Sequence, residues 1–147
     1  VVGGTTWLFF ESKDDFTDED TSSIGLAPVA SRNLGDDPPA LLVMRCDGEG
    51  GYDTYMIFDG YIGSRNDRIP VRYRFDEEEA VEESWGESTD GTAAFLPDNY
   101  NDFRTGVLAG KSFVFEVTDF RGSRSSARFE NSIEPRFEFI TGGCRER

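Results

Sequence analysis

The chain has no histidine, only two cysteines, and 15 basic against 29 acidic side chains over its 147 residues, a formal charge of −14. Each shortage removes a class of chemistry. Without histidine there is no Ser-His-Asp or Cys-His activation of a nucleophile and no imidazole proton shuttle, and two cysteines cannot close a thiolate zinc site. An enzyme built on this chain would have to run on carboxylates. The deficit of positive charge repels phosphate backbones and anionic headgroups, so nucleic acid is not an expected partner; neutral, cationic or divalent ones are. No window approaches the ~18–20 consecutive apolar residues of a bilayer-spanning helix, so membrane insertion is not expected either. The Asn-x-Ser/Thr glycosylation pattern is missing, as are internal repeats, low-complexity tracts and Pro- or Ser-rich linkers. A length near 150 then predicts a single domain over residues 1–147.

What the chain does contain is alternation of period two. Val71, Tyr73 and Phe75 alternate with Arg72 and Arg74, and Phe113, Phe115 and Val117 with Val114, Glu116 and Thr118, the pattern of half-buried strands. Residues 40–46, Ala-Leu-Leu-Val-Met-Arg-Cys, are apolar at almost every position and predict a central strand covered on both faces. The Asp47-Gly48-Glu49-Gly50-Gly51 turn and the aromatic, β-branched stretch 52–62 complete a hairpin with it. Shorter strands are expected at 7–10, 22–27, 82–87 and 126–129. Helix signals are few: 98–108, with Asp98 as a possible N-cap, and 132–140, with Pro135 near its start. Thirteen phenylalanines suit sheet faces better than a helical bundle. The expected fold class is all-β, an antiparallel β-sandwich with one or two short helices.

Few residue constellations point to chemistry. Asp14, Asp15, Asp18, Glu19 and Asp20 form the densest acidic segment and are candidate calcium ligands, although the spacing is not that of an EF-hand loop and the plainer reading is a solvated acidic loop. No other cofactor is indicated. Gly110-Lys111-Ser112 lacks the earlier glycine of a phosphate loop, since that position is Thr105, and it opens a strand; it reads as a turn. Arg121, Arg124 and Arg128 are the one local excess of positive charge, read as a hairpin tip over an anion-docking site. Tyr52, Tyr55, Tyr61, Trp85 and Tyr100 are candidates for a sugar-stacking platform, against the plainer reading of half-buried core. Arg45, Arg72 and Arg74 are expected on neighbouring strands, paired with carboxylates. Cys46 and Cys144 lack redox spacing; a single long-range disulfide is favoured over two buried reduced thiols. Val at position 1, with no charged n-region behind it, fits a chain from which a signal peptide has been removed.

Taken in order, several segments resemble a bacterial family, the type VI secretion-associated VasI/TagO proteins. They are Trp7; Asp15-Phe16-Thr17-Asp18-Glu19; Leu41-Leu42-Val43-Met44-Arg45-Cys46; Val71-Arg72-Tyr73-Arg74-Phe75-Asp76; Trp85-Gly86-Glu87-Ser88-Thr89-Asp90-Gly91-Thr92-Ala93; and Phe129 through Cys144. The resemblance spans almost the whole chain, and its most specific parts are the Arg-Cys pair, the Arg-Phe-Asp strand end and the Trp-x-x-Ser-Thr-Asp string. It implies pairing of Cys46 with Cys144 and an exported, non-catalytic β-sandwich with no catalytic residues to carry over. The expected function is therefore protein–protein contact, with a partner protein or by self-assembly, as an accessory or structural component of a secretion apparatus, particle or surface assembly. The expected location is periplasmic or extracellular. The alternative is a calcium-dependent or aromatic-platform carbohydrate-binding module, and a carboxylate hydrolase comes third.

Overall fold

The computed structural model describes residues 7–33, 39–47, 52–63, 67–134, 137 and 140. Among them ten strands and one helix follow in order: β1 (Leu8–Phe10), β2 (Ser23–Leu26), β3 (Ala30–Asn33), β4 (Pro39–Cys46), β5 (Tyr52–Phe58), β6 (Arg68–Phe75), β7 (Val81–Glu87), β8 (Ala93–Phe95), α1 (Asp102–Leu108), β9 (Phe113–Thr118) and β10 (Arg124–Phe129). All are joined, antiparallel, into one open sheet of order β1-β2-β4-β5-β8-β7-β6-β9-β10-β3. The sheet doubles over itself, because β4 touches β9 and β10, which lie far from it in that order. The all-β expectation holds, and the arrangement is sandwich-like. Its two layers are halves of a single coiled sheet, because three-residue β8 keeps the ladder continuous, pairing with β5 through Met56↔Ala94 and with β7 through Glu87↔Ala94.

Alternation decides which side chains enter the space between the layers. Ile69, Val71, Tyr73 and Phe75 of β6 point inward, as do Phe113, Phe115 and Val117 of β9 and Leu42, Met44 and Cys46 of β4, all nearly or wholly buried. Helix α1 fills the interior against the β6-β7-β9 half. Phe103 is wholly buried and meets Tyr73, Phe75, Trp85, Phe113 and Phe115 at ring-centroid distances of 4.9 to 5.7 Å. Four of these pairs are edge-to-face, an arrangement that adds to plain area burial. Gly106 lets the helix approach this closely, since a Cβ there would strike the Phe75 ring.

Several expectations shift in detail. The helix begins at Asp102 with Asn101 as its cap residue; Asp98 lies in the preceding turn, which Tyr100 closes by donating its N–H to the Pro97 carbonyl. β4 has two covered faces only in part: Val43 is buried on the second face, while Leu41 is half-buried and Arg45 exposed. Arg45 is not on a strand next to Arg72 and Arg74, because β5, β8 and β7 separate β4 from β6. Of the helix expected over 132–140, residues 132–134 are not helical, Phe137 and Ile140 are helical and buried, and 135, 136, 138 and 139 lie outside the described residues; Phe137 meets the edge of the Trp7 ring at 5.2 Å. Cys46 is wholly buried at the end of β4, and Cys144 lies outside the described residues.

Candidate functional site

The β1–β2 hairpin carries the acidic segment. Its loop is closed by an isolated antiparallel backbone β-bridge between Lys13 and Asp20 and ordered from within by its own carboxylates. Asp14 Oδ1 accepts from the N–H groups of Phe16 (2.8 Å) and Thr17 (3.1 Å), and Asp20 Oδ1 from that of Ser22 (2.9 Å). The two backbone donors hold the Asp14 carboxyl below its ordinary value, as hydrogen bonds to the charged form do. Asp15, Asp18 and Glu19 are exposed. Among the described residues no group of three or more His, Cys, Asp or Glu side chains is arranged to hold a metal ion. What the segment does display is Phe16, 97% exposed at the loop tip. Leu8 and Phe10 of β1 are 57% and 58% exposed.

Residues opposite one another in the ladder share a face, and the register Leu8↔Gly25↔Val43↔Tyr55↔Phe95 runs across β1, β2, β4, β5 and β8. That row, with Leu41 and Ile57 beside it, gives this half of the sheet an apolar outer surface. Tyr55 stacks on Phe95 at 4.7 Å, and the Arg45 guanidinium lies over Tyr55 at 5.6 Å. Asp53 faces Arg45 across the ladder, yet its carboxyl is pushed above the ordinary range, first by burial and then by repulsion from Asp47, with Arg45 opposing.

The outer surface of the other half is charged. Glu82, Arg72 and Glu116 stand in one row across β7, β6 and β9, and Arg72 bridges to Glu116 at 3.0 Å. A cleft of about 490 Å³ opens here, lined by these three residues with Glu83, Tyr100 and Arg124 among others. Two of its carboxylates hold structure, while Glu82 is exposed. Glu83 accepts from the Tyr73 hydroxyl (2.8 Å) and Trp85 Nε1 (2.9 Å), and Glu116 holds Arg72.

The remaining sequence candidates divide clearly. Trp85 is core; Tyr52, Tyr55 and Tyr100 are half-buried; Tyr61 is 56% exposed. Ser88 and Asp90 after Trp85 form a polar turn, in which Asp90 Oδ1 accepts from Ser88 Oγ, Thr92 N–H and Thr92 Oγ1, the last at 2.6 Å. Gly110-Lys111-Ser112 is a turn before β9, with Gly110 at φ +79° and Lys111 bridged to Glu78. Arg121 sits at the β9–β10 tip, bridged to Asp119 at 3.1 Å. Phe120, 43% exposed and 5.7 Å from Tyr61, was not a sequence candidate. Its one signal is an aromatic at a hairpin tip beside Gly122.

No family model matches the chain, and neither a curated protein nor a solved structure does.

Proposed function

We propose that the protein works without catalysis, by protein–protein contact through its β1–β2 hairpin, as an accessory or structural component of an exported assembly. One observation carries this reading: three large apolar side chains, Leu8, Phe10 and Phe16, are exposed on one hairpin at the border of the sheet. Soluble proteins scatter single exposed apolar residues, whereas a cluster framed by polar groups marks a contact surface. The carboxylates of Asp14, Asp15, Asp18, Glu19 and Asp20 around Phe16 add a preference for a partner with a basic rim and speed its encounter. The order of segments shared with the VasI/TagO pattern, and a disulfide between Cys46 and Cys144, belong to the same proposal.

A photo-crosslinking residue placed at position 10, 16 or 77 in cells that make the protein tests it, since Glu77 is also exposed but sits on the β6–β7 turn. Adducts are expected at positions 10 and 16 and not at 77. No adduct at either hairpin position would overturn the reading. Light scattering of the purified chain over a wide concentration range then tells a second copy from a foreign partner.

A further inference from the structure

A second surface, remote in sequence from the β1–β2 hairpin, has the features of a small-ligand site. Tyr61 lies over Gly63 and Gly91, both in the left-handed region at φ +63° and +72°. A Cβ on Gly63 would stand 2.7 Å from the Tyr61 ring, and one on Gly91 closer still; a side chain at either place would strain the backbone and push the ring aside. The floor is tied together by Ile62 N–H donating to the Gly91 carbonyl at 2.7 Å, and Phe120 N–H donating to the Ile62 carbonyl at 3.1 Å. The second of these bonds brings the β9–β10 tip against Tyr61, so the two rings meet at 5.7 Å with 62° between their planes. Buried Asp119 holds the tip by accepting from the N–H groups of Arg121 and Ser123, both at 2.9 Å, and it ties the Arg121 guanidinium, which lies over Phe120 at 5.4 Å. The Glu87 carboxylate borders Tyr61, 3.1 Å from where a Gly91 Cβ would be.

Two aromatic rings thus stand on hydrogen-bonded backbone and are left about half exposed. Rings that are already ordered lose little conformational freedom when a ligand stacks on them. We infer that Tyr61, with the Phe120 ring set at 62° beside it, forms a stacking site for a neutral oligosaccharide, with the apolar C–H face of a pyranose on the Tyr61 ring, the Phe120 ring walling it on one side and the sugar hydroxyls toward Glu87 and Arg121. The size of the patch favours a sugar over a protein. A whole aromatic side chain buries about 150–250 Å², so two half-exposed rings fall far short of the ~800 Å² per partner of a stable protein interface. The formal charge of −14 disfavours polyanionic glycans, and the charged rim disfavours a purely apolar ligand.

Amide chemical-shift titration with soluble hexasaccharides of glucose, N-acetylglucosamine, mannose and xylose, and separately with a proline-rich peptide, tests this. Saturable shifts at Tyr61, Gly91 and Phe120 are expected with at least one sugar. Tyr61→Ala should weaken that binding by about tenfold or more, and Tyr61→Phe, which keeps the ring, should retain most of it. Dispersed amide spectra for both variants, expected because the ring lies at the surface, confirm that loss of binding is not loss of fold. The inference is overturned by an absence of shifts with every sugar at millimolar concentration, by sugar shifts that survive Tyr61→Ala with Phe120→Ala, or by platform shifts with the peptide alone.

Discussion

Asn131 joins more parts of this protein than any single hydrophobic contact does. Its Oδ1 accepts from Trp7 Nε1 (2.8 Å) and from Ser132 N–H (2.8 Å), its Nδ2 donates to the carbonyls of Val107 and Lys111, and its own N–H donates to Ser112 Oγ. One amide therefore links the residue before β1, the end of α1 and the approach to β9. Each such bond contributes ~1 kcal/mol, and a buried group stripped of its partner costs ~1–3 kcal/mol. Asn131→Ala should destabilise the fold by about 2–4 kcal/mol, with the loss read as a lower urea midpoint at unchanged m-value. A cost below about 1 kcal/mol would mean that water replaces the side chain. The residue was not distinguishable in sequence, because Asn131-Ser132 reads as an ordinary loop dipeptide; the indole that completes its bonding arrives from the far end of the chain.

At the scale of elements, the β4–β5 ladder sets Arg45 against Asp53 and over Tyr55. The Asp53 carboxyl is raised in the fold above its ordinary 3.8. Its protonated form is thus the one the fold prefers, and the associated stability is complete below that value and lost as the pH rises through the native value. Asp53→Asn should then raise the melting temperature at pH 7, by no more than ~0.5 kcal/mol after screening by solvent, and leave it unchanged near pH 3. Arg45→Ala should act in the opposite direction by ~0.5–1 kcal/mol, the usual worth of an exposed cation–π contact. Thermal melts of both variants across pH decide it: destabilisation by Asp53→Asn at neutral pH would show that pairing with Arg45 outweighs burial.

The same scale explains which elements the sequence could disclose. β6 and β9 were legible because Val71-Tyr73-Phe75 and Phe113-Phe115-Val117 alternate cleanly against water on the opposite face. β8 was not: Ala93-Ala94-Phe95 spans three residues, too few to show a period, and it is a strand because β5 and β7 flank it. β3, Ala-Ser-Arg-Asn, has no apolar alternation at all and is held by its ladder with β10. Tyr61 could be named as a candidate, but its exposure could not be derived. That depends on the Ile62–Phe120 backbone bond, which no local pattern encodes.

For the whole molecule, burial of phenols links the core to alkaline stability. Tyr52, Tyr55 and Tyr73 are all raised above the ordinary value of 10.0, burial being the first cause in each, and Tyr73 is raised furthest because it also donates to Glu83. A raised value in the fold gives stability that is fully present below pH 10 and is lost as the pH rises through the native values. The urea midpoint should therefore hold steady up to about pH 9.5 and then fall, and near-ultraviolet absorbance at pH 11 should show fewer than the five tyrosines ionised until the chain unfolds. Five native phenols titrating together at the ordinary value would contradict this.

Composition and period alone determined that the chain is acidic, lacks imidazole chemistry and folds as antiparallel β-structure, since charge is a sum over residues and strand alternation is a property of neighbours two apart. Tertiary structure alone decided that the sandwich is one continuous coiled sheet, that Trp85 is core while Tyr61 and Phe16 face water, and that the cleft carboxylates Glu83 and Glu116 are engaged by Tyr73, Trp85 and Arg72. Those outcomes depend on which strands become neighbours. Pairing between segments far apart in sequence is set by packing of the whole core, so a residue's exposure and its partners follow from the assembled fold and not from its local sequence.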